Sequence, residues 1–210
     1  MKKIAFAAAA LLCLWQVPLA AANDRMDYLA IENRIQDQWV EYAYRYPQIT
    51  RGESRVAEQR LNSFLREYSQ STALNARLQA KKEGRRMDGE TSFTVMRNDQ
   101  AFFSLVFSSD FNGQKRQKGF VFLPKDGTQL RLEDLFSSPD FSEVLLQASA
   151  AWREENSIAG ALPTLQDFYL TEEALVLLFP SSDLKETLSF EISLESLSDI
   201  LSESLLDGVS

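Results

Sequence analysis

Along the chain the period of apolar positions switches several times, and each switch marks an element. From Asp27 to Ile49 the pattern is strand-like. A weaker strand around Tyr28, Ala30 and Ile31 precedes "WVEYAYRY", in which Val40, Tyr42, Tyr44 and Tyr46 share one face, opposite Trp39, Glu41, Ala43 and Arg45. Pro47 is expected to end that strand. Thr50 or Gly52 then opens a helix with Glu53 in its first turn. Val56, Arg60, Leu61, Phe64, Leu65 and Tyr68 recur at spacings of three and four and give one mostly apolar stripe. "STALNARLQAKKEGRR" continues as helix or irregular chain into a basic cluster of Arg77, Lys81, Lys82, Arg85 and Arg86, which reads as a solvated helix end or loop.

Two strands follow. "TSFTVMR" sets Phe93 and Val95 against Ser92, Thr94 and Met96, and "AFFSLVFSS" is continuously apolar, as a central strand would be. "RNDQ" joins them as a short turn. "DFNGQ" turns the chain again, because Asn-Gly readily takes positive φ. Strand 119–123, a turn at Lys125–Asp126–Gly127 and strand 128–132 come next, with Glu133 and Asp134 at the front of a helical turn that ends in Phe136. A helix is predicted from Ser138 or Pro139 to about Glu155, with Phe141, Val144, Leu145, Ala148 and Trp152 on its apolar face. "NSIAGALPT" is a loop, "LQDFYL" and "ALVLLF" form a hairpin around "TEE", and "LSFEISL" is the last strand. A closing helix from Ser196 carries Leu197, Ile200, Leu201 and Leu205. The sum is one α+β domain, an antiparallel meander sheet with helices packed on it.

The N-terminus stands apart from this pattern. Lys2 and Lys3 precede an apolar run from Ile4 to Val17, then Pro18 and "LAAAND", with small residues at Ala20 and Ala22. This is the layout of a signal peptide cleaved before Asn23, and the run is shorter than the roughly 20 apolar residues of a membrane span. The expected domain is therefore residues 23–210, free of the membrane after cleavage and periplasmic, with secretion as the alternative. Cleavage removes Cys13, the only cysteine, and loss of Lys2 and Lys3 moves the net charge from −8 to −10. No disulfide framework is then available, so the fold must rest on its core.

An acidic chain of this kind lacks the basic stripes that nucleic acid requires. It suits solubility or a basic partner. The chain has no His, and without His or mature Cys neither a Ser–His–Asp nor a Cys–His nucleophile system can form, nor a zinc site of the usual ligands. No phosphate-binding glycine motif is present. The "DFNG" start of a calcium loop fails at Lys115 and Arg116. Glu133 with Asp134 could make a carboxylate pair, but acids in the first turn of a helix are stabilised there by its dipole. The sequence thus carries no catalytic, metal or cofactor signature, and it reads as a binding protein rather than an enzyme. A hydrolase working with carboxylates alone ranks below both binding readings given next.

With the elements in order, the chain resembles the extracytoplasmic domain family shared by the lysozyme-sensing anti-sigma factor RsiV and the peptidoglycan deacetylase PdaC. "YRYPQITRGESRVAEQRLNSFL" is similar to that family's "YPQI…G…N" opening, through Tyr46, Pro47, Gln48, Ile49 and Asn62. "GFVFLPKDGTQLRLEDLF" resembles its strand, turn and "LxLxDLF" segment through Gly127, Leu130, Leu132, Asp134, Leu135 and Phe136. "LQDFYLTEEALVLLF" resembles its "FYLTDDGLVLYF" hairpin, and "FEISLESLSDIL" its final strand and helix. Where many members carry "GGAHG", this chain reads "FNGQKRQKG", keeping Gly113 and Gly119 without a His. The resemblance implies a binding domain, with a basic lysozyme-type hydrolase or a cell-wall fragment as partner and no cofactor. Contacts would fall on the loops "SDFNGQKRQKG" and "ENSIAGALPT". The candidate contact residues are Asn112, Gly113, Lys115 and Arg116, Tyr46 and Gln48 at the exposed end of the tyrosine strand, and Trp152. A glycan binder would instead expose Trp39, Trp152 and Tyr169 as a platform.

Overall fold

A computed structural model describes residues 25–155, 167–180 and 186–202. The expected signal peptide, the "NSIAGALPT" loop and Leu205 lie outside these residues. No helix among the described residues is long and apolar enough to cross a membrane.

The architecture is α+β, with two sheets. The larger sheet holds β1 (Asp27–Gln36), β2 (Val40–Arg51), β3 (Met87–Asn98), β4 (Phe103–Phe111) and β5 (Gln114–Phe122), in that spatial order. The smaller holds β6 (Phe168–Leu170), β7 (Ala174–Pro180) and β8 (Thr187–Ser193). A single long helix, α1 (Arg55–Glu83), connects β2 to β3. Its start is fixed by Ser54, whose hydroxyl accepts from the Ala57 N–H at 3.1 Å, and its end by Gly84 in the left-handed conformation. The start is therefore later than Thr50 or Gly52, and "STALNARLQAKKE" is helical throughout.

The meander holds from β3 to β5, but β2 and β3 run parallel, with Val40 beside Met87. The helix imposes this. Its 29 residues span about 43 Å, close to the roughly 40 Å of a 12-residue strand such as β2. The chain is carried back across the whole sheet and must start β3 in the same direction as β2.

Pro47 does not end β2. It pairs with Ala30, and β2 continues to Arg51. The other side of β2 makes this possible no more than locally, since Tyr42 to Tyr44 already pair with both β1 and β3 while Pro47 lies beyond the β3 register. The predicted strand 128–132 is reduced to a bridge between Phe122 and Gln129, followed by a 3-10 turn at Leu132–Leu135. The predicted helix to Glu155 divides into α2 (Phe141–Ala148) and α3 (Ala150–Glu155) at Ser149, whose hydroxyl donates back to the Leu145 carbonyl at 2.8 Å. Among the described residues the expected closing helix is a 3-10 turn, Glu195–Leu197, after which Leu201 bridges to Phe136.

Two cores result. Under α1, Tyr42, Leu105, Phe107, Phe120 and Phe122 meet Leu61 and Leu65. The helix buries small residues along the rest of its length, Ala57, Ser69, Ala73, Ala76 and Ala80, so it lies close to the sheet. Val56, assigned to the apolar stripe by spacing, is 61% exposed. Phe64 and Tyr68 pack edge-on against Phe120 at 5.0 and 4.8 Å. On the other face, the small sheet encloses Phe168, Leu170, Leu175, Leu177 and Phe179 with Val121, Leu132 and Leu145.

Candidate functional site

The face of the large sheet away from α1 changes character halfway along. Near Gly119 it is covered by the small sheet. A Cβ at Gly119 would sit 2.1 Å from the Phe168 carbonyl oxygen, so only glycine permits this approach. Ser104 Oγ accepts from the Leu170 N–H at 2.8 Å, and Thr187 Oγ1 accepts from the Gln117 N–H at 2.9 Å. Beyond Gln117 the described residues of the small sheet end.

The open half is polar because alternate positions of three adjacent strands are polar there. Cross-strand partners form two rows, Glu90–Asp110–Lys115 and Ser92–Ser108–Gln117. Two clefts of about 720 and 430 Å³ meet at Glu90 and Asp110, which line both. The larger runs over Asp88 and Gly89 towards Glu41 and Arg34, and the smaller runs past Ser92 and Ser108 to Thr187 and Glu186. Together they make one shallow groove across the sheet.

Its charges are largely fixed by neighbours at one end and open at the other. Glu41 binds Arg86 at 2.7 Å and Arg34 at 3.5 Å. Lys115 and Arg116 make no ion pair with a described residue. Asp110 accepts from the Gly113 N–H at 3.0 Å, which holds the hairpin tip. Among the described residues no group of three or more His, Cys, Asp or Glu side chains could hold a metal ion. Asp37 is held below the ordinary carboxyl range, chiefly by the Trp39 N–H and further by Arg77, and Glu133 likewise by its own backbone N–H and Arg131. A general acid needs the opposite displacement, and neither residue lines the groove.

The candidate contact residues separate. Asn112 and Gly113, at φ 55° and 78°, are the two central residues of the β4–β5 turn. The Asn112 amide, with its oxygen turned to Arg85, accepts from that guanidinium at 2.7 and 3.2 Å. Lys115 and Arg116 are not in a loop: they lie on β5, opposite Asp110 and Ser109. The turn has only two residues, so the ladder begins at once. These four stay together beside the groove. Tyr46 does not join them: it is 8% exposed and packs in the core under α1, whereas Gln48 is exposed. Trp152 belongs to the second core, its ring 5.2 Å from both Phe179 and Phe190. Trp39 and Tyr169 are half-buried.

Three members of the basic cluster make ion pairs. Arg77 pairs with Asp37 at 2.5 Å, Arg85 with Glu83 at 3.1 Å and Arg86 with Glu41. Sequence reasoning missed Glu90, Ser92, Ser108 and Asp110. The alternate polar positions of these otherwise apolar strands were the one local signal, and Ser104, which the small sheet covers, shares it.

By sequence, no family model and no curated protein matches the chain. Solved structures do match it. A DUF3298 family member from Bacteroides fragilis superposes with a TM-score of 0.65 at 10% identity, over 88% of this chain and 98% of that one. A DUF3298 family protein from Pseudomonas aeruginosa superposes with a TM-score of 0.59 at 14% identity, over 86% and 95%. The chain therefore has the fold of DUF3298 proteins.

Proposed function

We propose that this chain is an exported, non-enzymatic domain of the RsiV/PdaC-like kind that binds a protein of the cell envelope, with a basic lysozyme-type hydrolase as the foremost partner. The observation that carries the reading is the groove over Glu90 and Asp110, flanked by the β4–β5 hairpin tip. It is open, polar and shallow, which suits a protein surface or an inserted loop better than an enclosed small substrate. A hairpin held on a rigid sheet is a common place for recognition. The acidic balance of the chain, −8 in full and more negative without its leader, speeds encounter with a cationic partner.

The glycan reading takes second place. It needs an exposed aromatic platform, and Trp152 is spent on Phe179 and Phe190 while Trp39 and Tyr169 are half-buried. Carboxylate catalysis has support only in the Glu90–Asp110 juxtaposition, which lies on one sheet face rather than across a closed pocket.

The test is calorimetric titration of residues 23–210, which contain every described element, with a basic lysozyme at low and moderate salt. Saturable binding that weakens as salt rises is expected, together with further weakening by Glu90→Lys. Absence of saturable binding at both salt levels removes the hydrolase as partner.

A further inference from the structure

Strand β1 forms one edge of the large sheet, and no described strand pairs with its outer side. It is ten residues long and exposed along nearly its whole length. Natural sheets usually guard such an edge with Pro, a bulge or charged side chains, Lys above all, and β1 carries charge only at Asp27, Glu32 and Arg34. "DYLAIENRIQ" contains neither Pro nor Lys, and its one irregularity lies at the Asp27–Tyr28 end.

The hydrogen-bond phase of the edge follows from the β1–β2 turn. The Asp37 N–H donates to the Val40 carbonyl at 2.9 Å, so 37 and 40 form a hydrogen-bonded pair. The register then runs unbroken from Gln36 opposite Glu41 to Tyr28 opposite Ile49. Bonded and non-bonded pairs alternate in an antiparallel ladder. Ile31, Asn33 and Ile35 therefore direct their backbone groups at β2, while Ala30, Glu32, Arg34 and Gln36 direct theirs outward. A second copy docking antiparallel on this edge must set even-numbered residues against even-numbered ones.

Charge then selects among the two-fold registers that remain. An axis at Glu32 sets the glutamate against itself, and an axis at Arg34 does the same for the arginine. An axis at Ile31 sets Glu32 against an alanine and Arg34 against a tyrosine. An axis at Asn33 sets Glu32 against the partner's Arg34, Arg34 against the partner's Glu32, and each Ile31 against the partner's Ile35. Like charges directly opposite destabilise a ladder and opposite charges stabilise it. We propose that the chain self-associates as a two-fold dimer through β1 with its axis at Asn33, joining two five-stranded sheets into one. The new pairs extend existing ones. Glu32 already holds Arg45 at 2.7 Å and Arg34 holds Glu41 at 3.5 Å, so a row of alternating charge crosses the junction on exposed side chains.

This goes beyond the hydrolase reading, since the axis lies at the edge opposite β5 and dimerisation needs no second protein. The test uses the whole chain with Cys13→Ser, followed by sedimentation across micromolar to millimolar concentrations. The expected mass rises from one to two copies and stops there. Glu32→Arg replaces two attractions by two repulsions and weakens the dimer by about tenfold or more, and Glu32→Arg with Arg34→Glu restores it. Asn33→Cys supplies a sole thiol at the axis, where facing Cα atoms of a non-bonded pair lie about 4.5 Å apart, within disulfide reach. Mild oxidation should cross-link it, and should leave Leu29→Cys largely without a cross-link. A chain that stays monomeric throughout overturns the proposal. So does a dimer indifferent to Glu32→Arg, a dimer the double exchange fails to restore, or an Asn33→Cys chain that does not cross-link.

Discussion

The two faces of the five-stranded sheet are built by different rules. The α1 face is uniform: Tyr42, Leu105, Phe107, Phe120 and Phe122 lie under one helix along its length. The opposite face is divided. Ser104, Val106 and Gly119 lie under the small sheet, while Ser92, Ser108 and Gln117 line an open groove or its rim. The same strands supply both halves, and β4 passes from a covered to an uncovered region within a few residues. Among the described residues, a face is thus buried where a second layer reaches it and lies open where that layer ends.

The largest effect expected comes from breaking the uniform face. Phe107→Ala removes a ring that is 1% exposed and packs 4.8 Å from Tyr68, and should cost about 3–5 kcal/mol in denaturant unfolding. Gly119→Ala attacks the covered half of the other face, forcing Phe168 away from β5. It should cost about 1–3 kcal/mol and loosen the small sheet, which hydrogen exchange at Phe168–Leu170 would reveal. A cost below a few tenths of a kcal/mol would mean that the two sheets do not dock at this point.

Two pH experiments sharpen the account of the helix face. Burial pushes the Tyr68 hydroxyl up to about 12. Its raised pKa favours the neutral form in the folded state, so its stabilisation is complete below about pH 10 and is lost as pH rises towards 12. Tyr68→Phe should flatten that alkaline fall relative to the parent. Asp37 behaves in the opposite sense. Hydrogen bonds from the Trp39 N–H, Arg77 and the Val40 N–H lower its pKa, so its contribution is present above the ordinary value of 3.8 and is lost as pH falls below it. The stability gap between the parent and Asp37→Ala should therefore shrink in acid, as urea midpoints at pH 7 and pH 3 would report. The smallest effect is expected in the open half. Ser108→Ala removes a half-buried hydroxyl from the groove and should change stability by less than about 0.5 kcal/mol. A larger loss would show the groove to be part of the core.

Much of the fold was legible because it is written locally. The alternation in "WVEYAYRY" identified the buried side of β2, and Asn112–Gly113 identified the β4–β5 turn, since both signals need only a few adjacent residues. Asn62 was noted only as part of a resemblance. The structure shows its use: its amide bonds both the N–H and the carbonyl of Ile49 and so fixes α1 to the end of β2. Tyr46 was expected to be exposed because Pro47 looked like a strand end, and it is buried. A proline lacks only a donor, and a position outside the β3 register has no need of one.

By itself the sequence determined the α+β class, the position of most elements and the absence of any His. Each of these depends on residue type or on short-range period. The tertiary structure alone decided that β2 and β3 run parallel, that the strands divide into two sheets, and that Glu90 and Asp110 meet in a groove with Lys115 beside them. The reason is physical: pairing partners and the limits of a covering layer are set by contacts between residues far apart in the chain, and a polar position on a strand looks the same whether another layer passes over it or not.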